Sequence, residues 1–345
     1  MAQRRRIRFP DSLKGLAILL MIQVHLMELF AKQEIYDSLL GKISLFLGGI
    51  PAAPVFMLVM GYFVAFGKKK PAEMTLRGIK LFFGGLLLNI GLNLHLLYNI
   101  FFKNWDYNPW HFIFGADILP LAGLSLISLA FLQKISVRKY WIYFVLAFVV
   151  AALSQFFTPL QFETHSFGYL LTFFVGGTSW SYFPLIPWLA YPLLGFGFKL
   201  MNDELNLSGF LQKTRFKLII AMLALILAFT IQYGLNSSSN LPIYYHHNFL
   251  FFLWAVAFML VWFSAFYFIE RKFRHTLVFF YLQFVGKNVT AIYIIQWLII
   301  GNIATAIYKT QELDQYLFWF LNITIVSSVL AYIWIKIRNS KAPSK

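Results

Sequence analysis

Apolar residues in this chain run in long stretches, and short basic clusters fall between them. About 20 consecutive apolar residues are enough for a helix to cross a bilayer. Windows of that kind predict ten spans, at about 13–31, 42–66, 76–101, 116–133, 139–157, 182–200, 216–235, 247–269, 286–308 and 315–337. The expected fold is therefore all-α, a polytopic integral membrane helical bundle formed as a single domain by residues 1–345. The apolar segment Phe167–Val175 is too short to cross and reads as a re-entrant or interfacial piece.

Charge orients the bundle. With the N-terminus in the cytoplasm and sides alternating, 25 of the 29 Lys and Arg fall inside, leaving Lys32, Lys42, Lys103 and Lys309 outside. Cytoplasmic enrichment of Lys and Arg sets orientation, so both termini are expected to be cytoplasmic, in a bacterial inner membrane. The same clustering explains the net charge of +16 without a nucleic-acid partner. Composition agrees: 60% of the 345 residues are hydrophobic, 20% aromatic and 12% charged. There is no Cys, which rules out disulfides and thiolate metal sites. The seven His are dispersed except for His246 and His247, so no metal is expected. The stretch MAQRRRIRFPDSLKG leads into the first span with no small-residue cleavage site, so no cleavable signal is expected.

Polar residues inside such spans carry the candidate chemistry. His25 lies in the middle of the first apolar run, LAILLMIQVHLMELF, residues 16–30, so it is expected at mid-bilayer depth, where an ionisable group normally faces a bundle interior or a wet cavity. Lys14 precedes it by eleven residues, almost three helical turns, which sets both on one face about 16 Å apart. Glu28, one turn beyond His25, is placed to orient the imidazole and raise its basicity. Asp117 is an intramembrane carboxylate that needs a partner. It belongs to a polar set with Asn89, Asn93, His95, Asn288, Gln296 and Asn302, some of which serve to join helices. Lys68, Lys69, Lys70, Arg77 and Lys80 form a basic cluster that either marks topology and contacts anionic lipid or holds a donor's phosphates. Pro184, Pro187 and Pro192 argue for a kinked helix beside a pathway. The outer connections 102–115 and 158–181 are rich in aromatics, Gly, Asn and His, as an interfacial belt or a sugar-binding rim would be.

Several of these motifs together resemble the transmembrane acyltransferase superfamily, which includes the acyltransferase-three enzymes and the heparan-alpha-glucosaminide N-acetyltransferase relatives. Asp11-Ser12-Leu13-Lys14-Gly15-Leu16-Ala17 followed by His25 is similar to its first-helix signature, in which a basic or amide residue precedes a catalytic His by eleven positions. Phe183-Pro184-Leu185-Ile186-Pro187-Trp188 with Gly195, Gly115-Ala116-Asp117-Ile118-Leu119 with Gly123-Leu124-Ser125, and Gly286-Lys287-Asn288 with Ala291-Ile292-Tyr293 resemble motifs of the glucosaminide-acetyltransferase branch. Lys14 stands where Arg or Asn is commoner, and Gln296 where many relatives carry His.

The resemblance implies an acyl-CoA donor, acetyl-CoA foremost, that enters from the cytoplasm. The acceptor would be an extracytoplasmic sugar or lipid-linked glycan. His25 would act as base, with Lys14, Glu28 and Asp117 as further catalytic candidates. Lys14, Lys68, Lys69, Lys70, Arg77 and Asn288 are the candidate donor contacts. Membrane lipid is a further partner, and a homodimer is left open. The rival reading is a proton-coupled transporter or flippase for a lipid-linked or anionic solute, with His25 and Asp117 on the proton path. A non-catalytic scaffold gives no reason for a His within the span.

Overall fold

The computed structural model describes residues 8–67, 69–135, 139–157, 166–207, 209 and 212–340. Among them there is no strand, and one isolated bridge joins Ala31 to Gln311. A backbone crossing lipid must satisfy its own hydrogen bonds, and a helix does so within one segment. The chain opens with α1 (Arg8–Leu29), α2 (Gln33–Asp37), α3 (Leu39–Gly49) and α4 (Ala53–Gly67). Next come α5 (Pro71–Leu92), α6 (Leu94–Lys103), α7 (Pro109–Ile113), α8 (Ile118–Lys134) and α9 (Tyr140–Phe157). The middle holds α10 (Ser166–Leu171), α11 (Leu185–Trp188), α12 (Ala190–Leu205), α13 (Thr214–Phe229), α14 (Ile231–Ser239) and α15 (Leu241–Tyr245). The chain closes with α16 (Phe249–Phe273), α17 (Leu277–Lys287), α18 (Val289–Ile307) and α19 (Leu313–Ser340).

The protein is an all-α integral membrane bundle, but its spans are less uniform than the sequence windows suggest. Seven helical stretches are long and apolar enough to cross: Phe9–Leu29, Leu39–Gly67, Pro71–Leu92, Tyr140–Phe157, Phe249–Phe273, Val289–Ile307 and Leu313–Arg338. An eighth is gained if α13 and α14, bent by 63° at Thr230, act as one span. The windows at 116–133 and 182–200 yield shorter helices. The first is α8, of 17 residues. In the second, Pro184 and Pro187 lack the amide donors a helix needs, and the regular helix begins only at Ala190. Phe167–Val175 holds only the last five residues of α10, then turns and irregular backbone. Two breaks lie at asparagines whose side chains bond back to the preceding turn: Asn93 Nδ2 to the Asn89 carbonyl at 2.9 Å, and Asn288 Nδ2 to that of Phe284 at 2.8 Å.

Burial separates inner from outer helices. In the 18-residue apolar window of each, 72% of residues are buried for α3–α4 and 56% for α1, against 17% for α19. Outer faces carry exposed Leu87, Leu218 and Phe318, which suits acyl chains rather than water. The inner helices touch backbone to backbone through glycine. A Cβ added at Gly195 would lie 1.9 Å from the Leu58 carbonyl, joining α12 to α4. One at Gly15 would lie 1.9 Å from that of Leu282, joining α1 to α17. Small residues are what allow membrane helices to approach so closely. At its far end α1 is tied to the α18–α19 connection by Lys32 N–H donating to the Gln311 carbonyl at 2.9 Å and by a Lys32–Glu312 ion pair.

Candidate active site

His25 and Lys14 do share α1, eleven residues apart. His25, however, lies four residues, about 6 Å, short of the helix end at Leu29. The imidazole is therefore nearer that end than the middle of the span. Its ring lies over Trp297, centroids 3.9 Å apart and planes 35° apart. His25 Nδ1 is buried without a hydrogen-bond partner. The nearest carboxylate oxygen, Glu28 Oε2, is 4.0 Å away, so Glu28 acts on the ring through its field and not through a hydrogen bond.

The ring faces a cavity of about 40 Å³ lined by α1, α3, α14, α15 and α18 together with Ala53, Asp117, Ile118 and Phe183. Space of that size takes a few heavy atoms. Asp117 caps α8: its Oδ1 accepts from the Ile118 N–H at 2.7 Å, and its Oδ2 from the Tyr293 hydroxyl at 3.3 Å. The turn leading to it is held by Asn89 Nδ2, which donates to the Gly115 carbonyl at 2.8 Å. The Phe183 N–H donates to the Ala116 carbonyl at 2.6 Å, which brings Phe183 to the cavity wall. Three of the residues singled out from sequence, His25, Glu28 and Asp117, thus meet in one place.

The remaining candidates do not line this cavity. Lys14 is ion-paired with Asp11 at 2.8 Å and lies 5.1 Å from the centre of the Phe63 ring. Lys69, Lys70 and Arg77 are exposed around the start of α5, where long cations stay in water or at headgroups. Lys68 lies outside the described residues. Asn288 spends its side chain on the break between α17 and α18. Of the polar set, His95 and Asn302 join α6 to α18: the His95 N–H donates to Asn302 Oδ1 at 2.9 Å. Among the described residues no group of three His, Asp or Glu gathers to hold a metal ion.

Sequence reasoning passed over Ser238, Tyr244, Tyr245 and Trp297, all of which line the cavity. Their signal was weak, because hydroxyls and indoles are ordinary constituents of a membrane protein. Next to Tyr244 and Tyr245, burial pushes the imidazoles of His246 and His247 down to about 4. His247 Nε2 lies 3.0 Å from the Tyr191 hydroxyl, and its Nδ1 lies 2.9 Å from the Tyr244 carbonyl. With folded values below the unfolded 6.5, the unfolded chain binds protons first as pH falls. Stability is therefore full above about 6.5 and is lost progressively toward 4. The melting temperature should fall by several degrees between pH 7 and 5. The fall should be shallower in His246→Asn, read by thermal scans in detergent.

A family model described as heparan-alpha-glucosaminide N-acetyltransferase, catalytic, matches residues 6–248. The matched stretch contains α1 to α15, and so His25, Glu28, Asp117, Ser238 and Tyr244, while Tyr293 and Trp297 come from beyond it. No curated protein and no solved structure matches the chain.

Proposed function

The chain belongs to the heparan-alpha-glucosaminide N-acetyltransferase catalytic family, and from that premise we propose that it is a membrane acetyltransferase using acetyl-CoA to modify a glycan. The observation that carries the mechanism is the convergence of His25, Glu28 and Asp117 on one cavity. The Glu28 charge beside Nδ1 favours the tautomer with its proton there, which leaves the Nε2 lone pair to accept one. The acceptor is a hydroxyl or amine of an extracytoplasmic sugar or lipid-linked glycan. His25 takes its proton as it attacks the thioester carbonyl; the new C–O or C–N bond forms, the C–S bond breaks, and the same proton passes to the departing CoA sulfur. Asp117 already accepts from Ile118 N–H and Tyr293. A carboxylate has about four lone-pair sites, so it keeps capacity to orient the acceptor.

The excess of Lys and Arg on one set of loops supports a cytoplasmic Lys14 end, with the donor reaching about 16 Å along α1 from Lys14 to His25. Lys68, Lys69, Lys70 and Arg77 are the groups available to meet donor phosphates at that membrane surface. The setting is a bacterial inner membrane, the whole chain acting as one domain.

Acetyl-CoA should raise the melting temperature of the purified chain, because a compound that binds only the folded state stabilises it, by about 2.7 kcal/mol at a hundredfold excess over Kd. Proteoliposomes given labelled acetyl-CoA and glucosamine should release CoA and transfer the label. A pH gradient should drive no net solute uptake. Uptake without CoA release would favour the transporter reading and remove this one.

A further inference from the structure

Buried polar atoms in proteins are paired in more than about nine cases of ten. Three side chains lining the His25 cavity depart from that rule together. Ser238 Oγ, Tyr244 Oη and His25 Nδ1 are each buried with no hydrogen-bond partner among the described residues. Ser238 is 0% exposed and Tyr244 4%.

The two hydroxyls come from neighbouring short helices. Ser238 is near the end of α14, and Tyr244 is on α15, whose start is capped by Asn240 Oδ1 accepting from the Ile243 N–H at 3.3 Å. Both pack against Gly49 of α3. A Cβ built there would lie 3.3 Å from Tyr244 Cε2 and 3.6 Å from Ser238 Cβ. The bare glycine therefore lets both side chains close on the cavity from the side of α3, while His25 enters from α1. Hydroxyls left unpaired in so apolar a setting, among Met21, Val24, Leu45 and Phe183, cost stability unless something they bind repays it.

A carbonyl oxygen has two lone pairs and no proton, which complements two O–H donors. We infer that Tyr244 and Ser238 are catalytic residues whose hydroxyls hold the thioester carbonyl oxygen and the oxyanion it becomes. The assignment rests on the acetyl-transfer reading above. On attack, the carbonyl electron pair moves onto oxygen between the two hydroxyls while the acceptor's proton goes to His25. The pair then returns, the C–S bond breaks, and the thiolate takes the proton back from His25. Donors fixed before the charge develops, in a mostly apolar cavity, are the arrangement that favours the tetrahedral state over the ground state.

The test compares wild type, Tyr244→Phe, Ser238→Ala and His25→Ala, each as the full chain in proteoliposomes with acetyl-CoA and glucosamine. It reads CoA release and, in detergent, melting temperature without substrate. Tyr244→Phe and Ser238→Ala should each lower kcat on the order of 10²–10³-fold with a smaller change in KM. Each should melt no lower than wild type, because only an unpaired buried hydroxyl is removed. Wild-type kcat in both variants, with His25→Ala inactive, overturns this assignment and leaves the acetyl-transfer reading standing. A lowered melting temperature in step with the lost rate marks a structural role and also overturns it. A wild-type chain that neither releases CoA nor is stabilised by acetyl-CoA removes both.

Discussion

Replacing His25 with alanine is expected to lower acetyl transfer by about 10²–10⁴-fold, the usual contribution of a positioned general base. No nearby group takes over the role. Glu28 and Asp117 line the same cavity, but a carboxylate is ordinarily a weaker base than an imidazole, so neither restores the rate. Residual transfer should persist, because holding donor and acceptor together accelerates the reaction without a base. His25→Gln separates the two contributions: it keeps polar atoms in the cavity but cannot cycle a proton at neutral pH, so it should be nearly as slow as alanine. The loss of the stacking contact with Trp297 costs on the order of 1 kcal/mol, too little to unfold the chain. Initial rates from labelled acetyl-CoA, alongside melting curves, are the measurement. Transfer by His25→Ala at the wild-type rate would remove His25 from the mechanism.

The fold class and the family were legible because both are written in residue types that survive without tertiary context. Long apolar runs demand helices in a bilayer, and the Asp11 to Ala17 motif with His25 keeps its spacing on a continuous α1. Span limits were less legible. Asn93 and Thr230 look like tolerable polar residues in the runs 76–101 and 216–235, yet each stands at a helix break. Hydropathy averages across such a break, so it counts two helices as one. The candidate site was legible where the chemistry is ionisable: His25, Glu28 and Asp117 stand out against apolar neighbours and line one cavity. The basic cluster around Arg77 stands out equally but lies elsewhere, because positive charge also encodes topology. Ser238 and Tyr244 stayed silent, since the signal they carry is a missing partner, and only coordinates reveal that.

Gly286→Ala is expected to be among the most damaging small changes in the chain, while Gly84→Ala, the same change on α5, should be neutral or stabilising. At Gly286 an added Cβ would lie 1.7 Å from the Asp11 carbonyl oxygen and 2.9 Å from the Gly15 N, backbone atoms of α1 that cannot rotate away. Overpacking against side chains costs about 1–3 kcal/mol. Against a rigid helix backbone it should exceed about 3 kcal/mol, because relief requires α1 and α17 to part. Gly84 has nothing within 4 Å of its built Cβ, and alanine is the better helix former by about 0.5–1 kcal/mol. The contrast isolates packing from propensity, since both substitutions add one methyl within a helix. Because α1 also carries Asp11, Lys14, His25 and Glu28, a displaced crossing would swing the imidazole relative to Asp117 on α8's cap. Any Gly286→Ala protein that survives purification should therefore lose transfer as well as melt early. Melting temperatures of the two variants in detergent decide the matter: Gly286→Ala within about 2 °C of wild type would mean that α1 and α17 do not cross as closely as the geometry requires.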